Sequence, residues 1–321
     1  MKKSLKYMVA ALVAMSAWNT AQAETFPENP VRIIVPYPPG QSADVVARLI
    51  ADKIREQTNL TFIVENKPGA NATIGATYVA NAEPDGYTIL MAGTTPLAAA
   101  GALNASLPYD PVESFDAISG AVLNTYMIVV KADNPANNVQ EFIDQVKAAP
   151  SPISYGSGNQ STRMAAELFQ LMTGTKMNYV PYPGTDRAIT DLMNGQVGVM
   201  FNGTQTSMPH IKGGTLKSLG ISTTERDPLL PDLPTIGETI DGYSYVASQG
   251  IVAPKGTPPE RIARLHQLIA DALNDPAVTE RLQATGVVMW PVSPEDFAEQ
   301  IATESELWKR IVEEADIPVN P

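Results

Sequence analysis

Two histidines and no cysteine narrow the bond chemistry open to this chain. His266 falls beside an apolar helical stripe of Ile262, Leu265, Ile269 and Leu273, where packing or solvation outweighs catalysis, and His210 follows Pro209 near what reads as a short turn. No serine occupies the Gly-x-Ser-x-Gly elbow of a hydrolase. Gly156-Ser157-Gly158 lacks the first glycine at the required spacing, and Ser161 stands where a dinucleotide fingerprint needs its third glycine. No lysine completes a Walker loop, and an imidazole metal site needs more histidine than this. What the chain does carry is a set of short Gly, Pro, Ser, Thr and Asn loops running into helices. Such loops supply hydrogen-bond donors rather than nucleophiles, so the composition suits a binding protein and not an enzyme, and implies no cofactor or metal.

The elements around those loops repeat one pattern. Val31 to Val35 reads as a strand, and Val45, Val46, Leu49, Ile50 and Ile54 recur at helical spacing, so the stretch from Val35 to Asp44 joins strand to helix. Ser42 is the expected N-cap, and the unpaired N–H groups after it would form an anion site at one wall of a cleft. Thr61 to Val64, a helix from about Ile74 to Asn81, and Tyr87 to Met91 continue the alternation up to the loop Gly93-Thr94-Thr95-Pro96. A parallel sheet with crossover helices follows, and its ligand would lie beyond the carboxyl ends of the strands. A second unit has strands at Met127 to Val130, Ile153 to Tyr155, Tyr179 to Tyr182 and Val197 to Phe201, and helices at Val139 to Ala148, after Thr162, and after Asp186. Strands at Leu216 to Ile221 and Tyr243 to Val252 flank a proline-rich connection, Pro228 to Pro234. Helices after Pro258, at Pro276 to Ala284 and at Pro294 to Ala315 end the chain.

Three lysines, an apolar run from Tyr7 to Trp18 and the small-residue pattern Ala21-Gln22-Ala23 make residues 1–23 an export signal cut after Ala23. Its removal takes the formal net charge from −12 to −15. An acidic chain argues against nucleic acid and against an anionic membrane surface. No later stretch reaches the roughly 20 apolar residues of a membrane span. Export, with no cysteine for disulfides or lipidation, fits a periplasmic protein.

Six stretches in order resemble the periplasmic solute-binding proteins of tripartite tricarboxylate transporters, the Bug family. They are the run from Val35 to Asp44, Val64-Glu65-Asn66-Lys67-Pro68-Gly69-Ala70, Pro84-Asp85-Gly86-Tyr87-Thr88, Leu107-Pro108-Tyr109-Asp110-Pro111, Pro209-His210-Ile211-Lys212, and Leu230-Pro231-Asp232-Leu233-Pro234-Thr235. The resemblance implies an α/β, type II-like two-domain periplasmic binding protein, with a ligand cleft between domains joined by crossing hinge strands. Domain one would be 24–124 plus 248–321 and domain two 125–247, hinged near Leu123–Tyr126 and Val246–Gly250. It implies a monomer that takes a small-molecule carboxylate to integral-membrane permease subunits.

By motif, the resemblance assigns Tyr37, Pro38, Gly40, Ser42 and Ala43 to the first ligand loop, Thr94 and Thr95 to the second, and Ser157, Asn159, Ser161 and Thr162 to the domain-two loop. Tyr182, Thr185, Asp186 and Asn202 form the other rim. Asp44 would secure its loop, since its charge opposes an anion. The chain departs from the family at the pocket: Arg163-Met164 replaces a frequent Pro-His, Pro183 a frequent Lys, and Asn202 a frequent Asp, while the domain-two loop is one residue short. Arg163 is therefore a candidate to grip a second carboxylate, favouring a di- or aromatic carboxylate; its competing role is a surface pair with Glu167. A receptor that feeds a sensor kinase and a receptor for a neutral or amide ligand stay open as alternatives.

Overall fold

The computed structural model describes residues 26–227 and 230–320. The export signal with its cut after Ala23, and the start of the proline-rich connection, lie outside the described residues. No described helix is long and apolar enough to cross a membrane.

The first half opens as the periodicity dictates, with β1 (Val31–Val35), α1 (Ser42–Thr58), β2 (Phe62–Asn66), α2 (Thr73–Ala80) and β3 (Thr88–Gly93). Strand β1 pairs in parallel with β2 and with β3. In place of a loop after Thr95, a π-helical turn, Thr95–Ala99, runs into α3 (Ala100–Leu103). The second half repeats the pattern with α4 (Val139–Ala148), β5 (Ser154–Ser157), α5 (Gln160–Thr173), β6 (Asn178–Pro181), α6 (Thr185–Met193), β7 (Val199–Gly203), α7 (Thr204–Lys212) and β8 (Leu216–Ile221). Here β5 pairs in parallel with β6 and β7. His210, expected near a turn, is inside α7, whose backbone tolerates Pro209 one residue before it.

The sheet is not wholly parallel, as the alternation alone suggests. Two long strands, β4 (Phe115–Lys131) and β9 (Val246–Pro254), run antiparallel through the middle. Strand β4 pairs with β9 from Phe115 to Thr125, then changes partner: Tyr126 to Val129 pairs with β7 and Met127 to Lys131 with β8. One continuous strand thus belongs to both halves. The remaining elements, α8 (Pro259–Leu273), α9 (Pro276–Gln283), β10 (Val288–Met289) and α10 (Pro294–Glu314), return to the first half, where β10 adds to β4.

Burial follows the stripes. Val46, Ala47, Ile50 and Ile54 of α1 pack with Leu265, Ile269 and Leu273 of α8 around β1 and β3. Phe142, Phe169, Phe201 and Tyr243 centre the second core. Helix α10 serves both: Phe297 and Ile301 pack with Ile34 and Leu90, whereas Trp308, Ile311 and Val312 join the second core.

The loop after β1 is held from within. Asp44 is 2% exposed and accepts from the Gly40 backbone N–H (2.8 Å), Asn66 Nδ2 (2.8 Å) and the Arg48 guanidinium (2.9 and 3.0 Å). Gly40 takes φ +86°, a left-handed conformation that favours glycine. Burial by itself would raise the Asp44 pKa, but Arg48, the Gly40 N–H and Asn66 together hold it below the ordinary 3.8. Between the lowered folded pKa and the ordinary value the unfolded chain binds more protons. The stabilisation is therefore complete above the ordinary aspartate range and is lost as pH falls through the folded pKa. Asp44→Ala removes the shared acceptor of the Gly40 N–H, Asn66 and Arg48 and should cost about 1–3 kcal/mol. Urea denaturation at pH 7 and at pH 3 checks this: the gap between wild type and variant should shrink at pH 3.

Candidate functional site

The two halves enclose a cavity of about 270 Å³, lined from β1's loop to the start of α7. The first turns of four helices open on it: Ser42 and Ala43 of α1, Ser161 and Thr162 of α5, Thr185 of α6, and Gln205 and Thr206 of α7. Unpaired N–H groups cluster at such helix starts. The floor is the crossing pair itself, Asn124, Thr125 and Tyr126 on β4 with Ala247, Ser248 and Gln249 on β9. Among the described residues that line the cavity, none is Asp, Glu, Lys, Arg or His.

Ten of the sixteen residues assigned from the motifs line this cavity: Tyr37, Ser42, Ala43, Thr94, Thr95, Asn159, Ser161, Thr162, Thr185 and Asn202. Ser42 is there in a different role from the one expected. It is the first residue of α1 rather than its N-cap; Gln41 is the cap, in extended conformation and without a side-chain cap bond. The freed Ser42 hydroxyl meets the side-chain amide of Gln249 on the cavity floor, at 3.2 Å from Nε2. Tyr37 is only partly covered overall, but its hydroxyl end is in buried surroundings that push its pKa up to about 12 against the opposing effect of the Gly93 N–H. It stays a neutral donor at any physiological pH.

The α5 loop is built to aim donors. Asn159 and Thr162 cap each other's backbone reciprocally, and the Ser157 hydroxyl lies 2.6 Å from Thr162 Oγ1. Gly158 lets this loop rest on the start of α6: a Cβ there would fall 2.6 Å from Gly184 C and 2.7 Å from Thr185 Cα.

Six assigned residues lie elsewhere. Ser157 is buried beneath the loop, and with Pro38 and Tyr182 it borders an outer recess that also includes Pro68, Asn71 and Tyr179. The Tyr182 hydroxyl donates to Asp191 (3.0 Å). Gly40 borders a separate small recess, and Asp186 is exposed in the first turn of α6. Arg163 does not line the cavity. Its Nε is 3.5 Å from Glu167 Oε1 and its guanidinium covers the Tyr179 ring at 4.4 Å, because the i,i+4 spacing on α5 and the parallel neighbour β6 place both partners beside it.

Motif reading missed Gln41, Gln205, Thr206 and the floor residues. The floor left a trace in the sequence as the expected hinge segments, and Gln41 falls inside the run from Val35 to Asp44.

Asn202 carries a defined polarity. The Thr206 and Ser207 hydroxyls each donate their single proton to the Gly203 carbonyl (3.1 and 2.9 Å). Towards Asn202 they can only accept, and both do so from Nδ2 at 2.9 Å. The amide is thereby fixed, and its Oδ1 is buried with no hydrogen-bond partner among the described residues.

Gly158→Ala should drive the α5 and α6 starts apart, with a loss of about 1–3 kcal/mol in stability. Chemical denaturation measures it, and a wild-type midpoint would show that the two loops do not rest on each other.

The model of the tripartite tricarboxylate transporter family receptor matches residues 46–317. The protein BugT of Bordetella pertussis is 33% identical over 299 residues, with 91% of each chain covered. Among solved structures, the periplasmic binding protein BugD is 31% identical, covering 92% of this chain and 100% of its own, with a TM-score of 0.75. Rpa4515 of R. palustris, solved with adipate, is 28% identical, covering 92% and 99%, with a TM-score of 0.79. With the two-half α/β fold and the cleft at its crossing strands, these matches make the chain a member of the tripartite tricarboxylate transporter receptors, the Bug family of periplasmic solute-binding proteins.

Proposed function

We propose that this chain is a periplasmic receptor that captures a small organic carboxylate and delivers it to the integral-membrane permease subunits of a tripartite tricarboxylate-type transporter. The observation that carries the reading is the cavity wall, where four helix starts and a set of neutral hydroxyl and amide groups converge with no acidic side chain among them. Preorganised N–H and O–H donors hold an anion without a cation. That Rpa4515 was solved with adipate supports the ligand class. In this reading residues 24–124 plus 248–321 form one jaw and 125–247 the other, with α10 reaching across; the partner change in β4 at Thr125 and Tyr126 supports the division. An aromatic or dicarboxylic ligand loses the support expected from Arg163, which is engaged by Glu167 and Tyr179. A second reading, a ligand bearing an amide or hydroxyl, draws on Asn202, whose unpaired Oδ1 would be answered by a donor.

Calorimetric titration with propionate, succinate, adipate, benzoate and the matching amides tests both. Binding of at least one acid is expected, and binding of amides alone would replace the first reading by the second. With a bound acid, Ser42→Ala should weaken affinity by about 5-fold or more through a lost hydrogen bond of about 1 kcal/mol. Arg163→Gln should leave it within about twofold. A tenfold loss in Arg163→Gln would bring that guanidinium back into the site. Small-angle scattering should show a smaller radius of gyration with saturating acid, the sign of closure about the crossing strands.

A further inference from the structure

Directly behind the cavity wall lies a buried carboxyl group. Glu304 of α10 is 4% exposed, and its two oxygens have different surroundings. Oε1 accepts two N–H groups, from the Ser248 backbone (3.1 Å) and from Gln300 Nε2 (2.8 Å). Oε2 meets the Thr94 hydroxyl at 2.5 Å. Both Thr94 and Ser248 line the cavity. The Ser248 side chain also hydrogen-bonds the carboxylate, and all of these donors are neutral, so nothing in this set compensates a full negative charge.

The geometry makes the Thr94 hydroxyl a two-position device. With Glu304 ionised, the one proton of Thr94 is committed to Oε2 and the hydroxyl offers the cavity only lone pairs. With Glu304 protonated, the O–H on Oε2 donates to Thr94 Oγ1, and the Thr94 proton is released toward the cavity. Oε1 cannot take that role, since two N–H groups already point at it. An anion arriving in the cavity discriminates between these states twice over. It gains a donor when Glu304 is protonated, and it meets a like charge in a poorly hydrated wall when Glu304 is ionised.

We propose, resting on the carboxylate-receptor reading, that Glu304 takes up one proton from solvent as an acid binds and thereby turns the Thr94 hydroxyl into a donor to the bound carboxylate. The receptor then carries its ligand together with one proton, which offsets the charge of the carboxylate that Thr94 meets. No covalent bond other than the new O–H on Oε2 is made or broken.

The other titratable groups leave Glu304 as the responsive one. Tyr126 of β4 and Tyr245, just before β9, face it, and burial raises both phenols far above neutrality, so they stay uncharged. On α5, Arg163 and Glu167 pair with each other. At the two ends of β4, Asp116 is paired with Lys255 and Lys131 with Asp133. Burial also raises the Glu304 carboxyl above its ordinary 4.5, against the pull of Gln300, Thr94 and Ser248.

The experiment is calorimetry of the full mature chain with adipate and with neutral adipamide, from pH 6 to 8.5, in pairs of buffers that differ in ionisation enthalpy. Adipate binding by the wild type should take up a proton, and affinity should fall with rising pH by up to about tenfold per unit. Adipamide should show neither effect. Glu304→Gln places a permanent N–H donor against Thr94 and mimics the protonated state. It should bind adipate without the wild type's extra proton uptake and lose much less affinity than the wild type between pH 6 and 8.5. The difference between the two proteins cancels any proton taken up by adipate itself. Equal uptake in wild type and variant, or weaker binding by the variant at every pH, would overturn the proposal. If the variant does not fold, the contrast between adipate and adipamide in the wild type decides, and equal proton uptake with both overturns it. Should adipate not bind, propionate and benzoate with their amides take its place, and failure of every acid would remove the receptor reading and this coupling with it.

Discussion

The backbone ladder of β4 is the constraint on which the molecule depends. A strand must satisfy its N–H and C=O groups along its whole length. From Phe115 to Thr125 the partner is β9, and from Tyr126 onward the partners are β7 and β8. The two halves cannot drift apart without breaking this ladder. The cavity is placed where the strand changes partners, so Asn124, Thr125 and Tyr126 serve as hinge and as floor together. Motion of the jaws and contact with the ligand involve the same residues.

Helix α10 adds a second tie. Its first half packs with Ile34 and Leu90, its second half with Phe142 and Phe169, and between them Glu304 reaches the back of the cavity wall. The wall residue Thr94 is therefore positioned by a helix more than 200 residues further along the chain. Such a contact pins the π-helical turn at Thr95–Ala99 against the body of the protein, where a π turn by itself is a weak element.

The sequence makes the amphipathic helices legible, because a one-sided apolar stripe has no other low-energy arrangement. Val139–Ala148 and the strand Leu216–Ile221 fall where the pattern puts them. The first part of β4 does not announce itself: Ser119, Gly120, Asn124 and Thr125 interrupt any alternation, and their extended state comes from pairing with a strand about 130 residues away. Ser42 illustrates a finer limit. Its type suits a cap, but the cap is decided by where the backbone turns helical, and Ser42 is already helical, so the extended Gln41 before it is the cap. The family motifs located most of the cavity wall and could not locate its floor. The sequence admits two roles for Arg163, and the partner that the structure gives it, Glu167, stands four residues on.

A cavity without formal charges has a consequence for ionic strength. Coulomb attraction between full charges weakens as salt shortens its reach, to about 10 Å at 0.1 M. Fixed N–H and O–H dipoles act on a bound anion at contact distance, inside that length, and dissolved ions cannot come between them. The long-range field of this chain, with its formal charge of −12, is repulsive to an anion, and that is the component which salt removes. Capture of an acid by this receptor should therefore be insensitive to salt or slightly favoured by it, the reverse of what an arginine clamp would give.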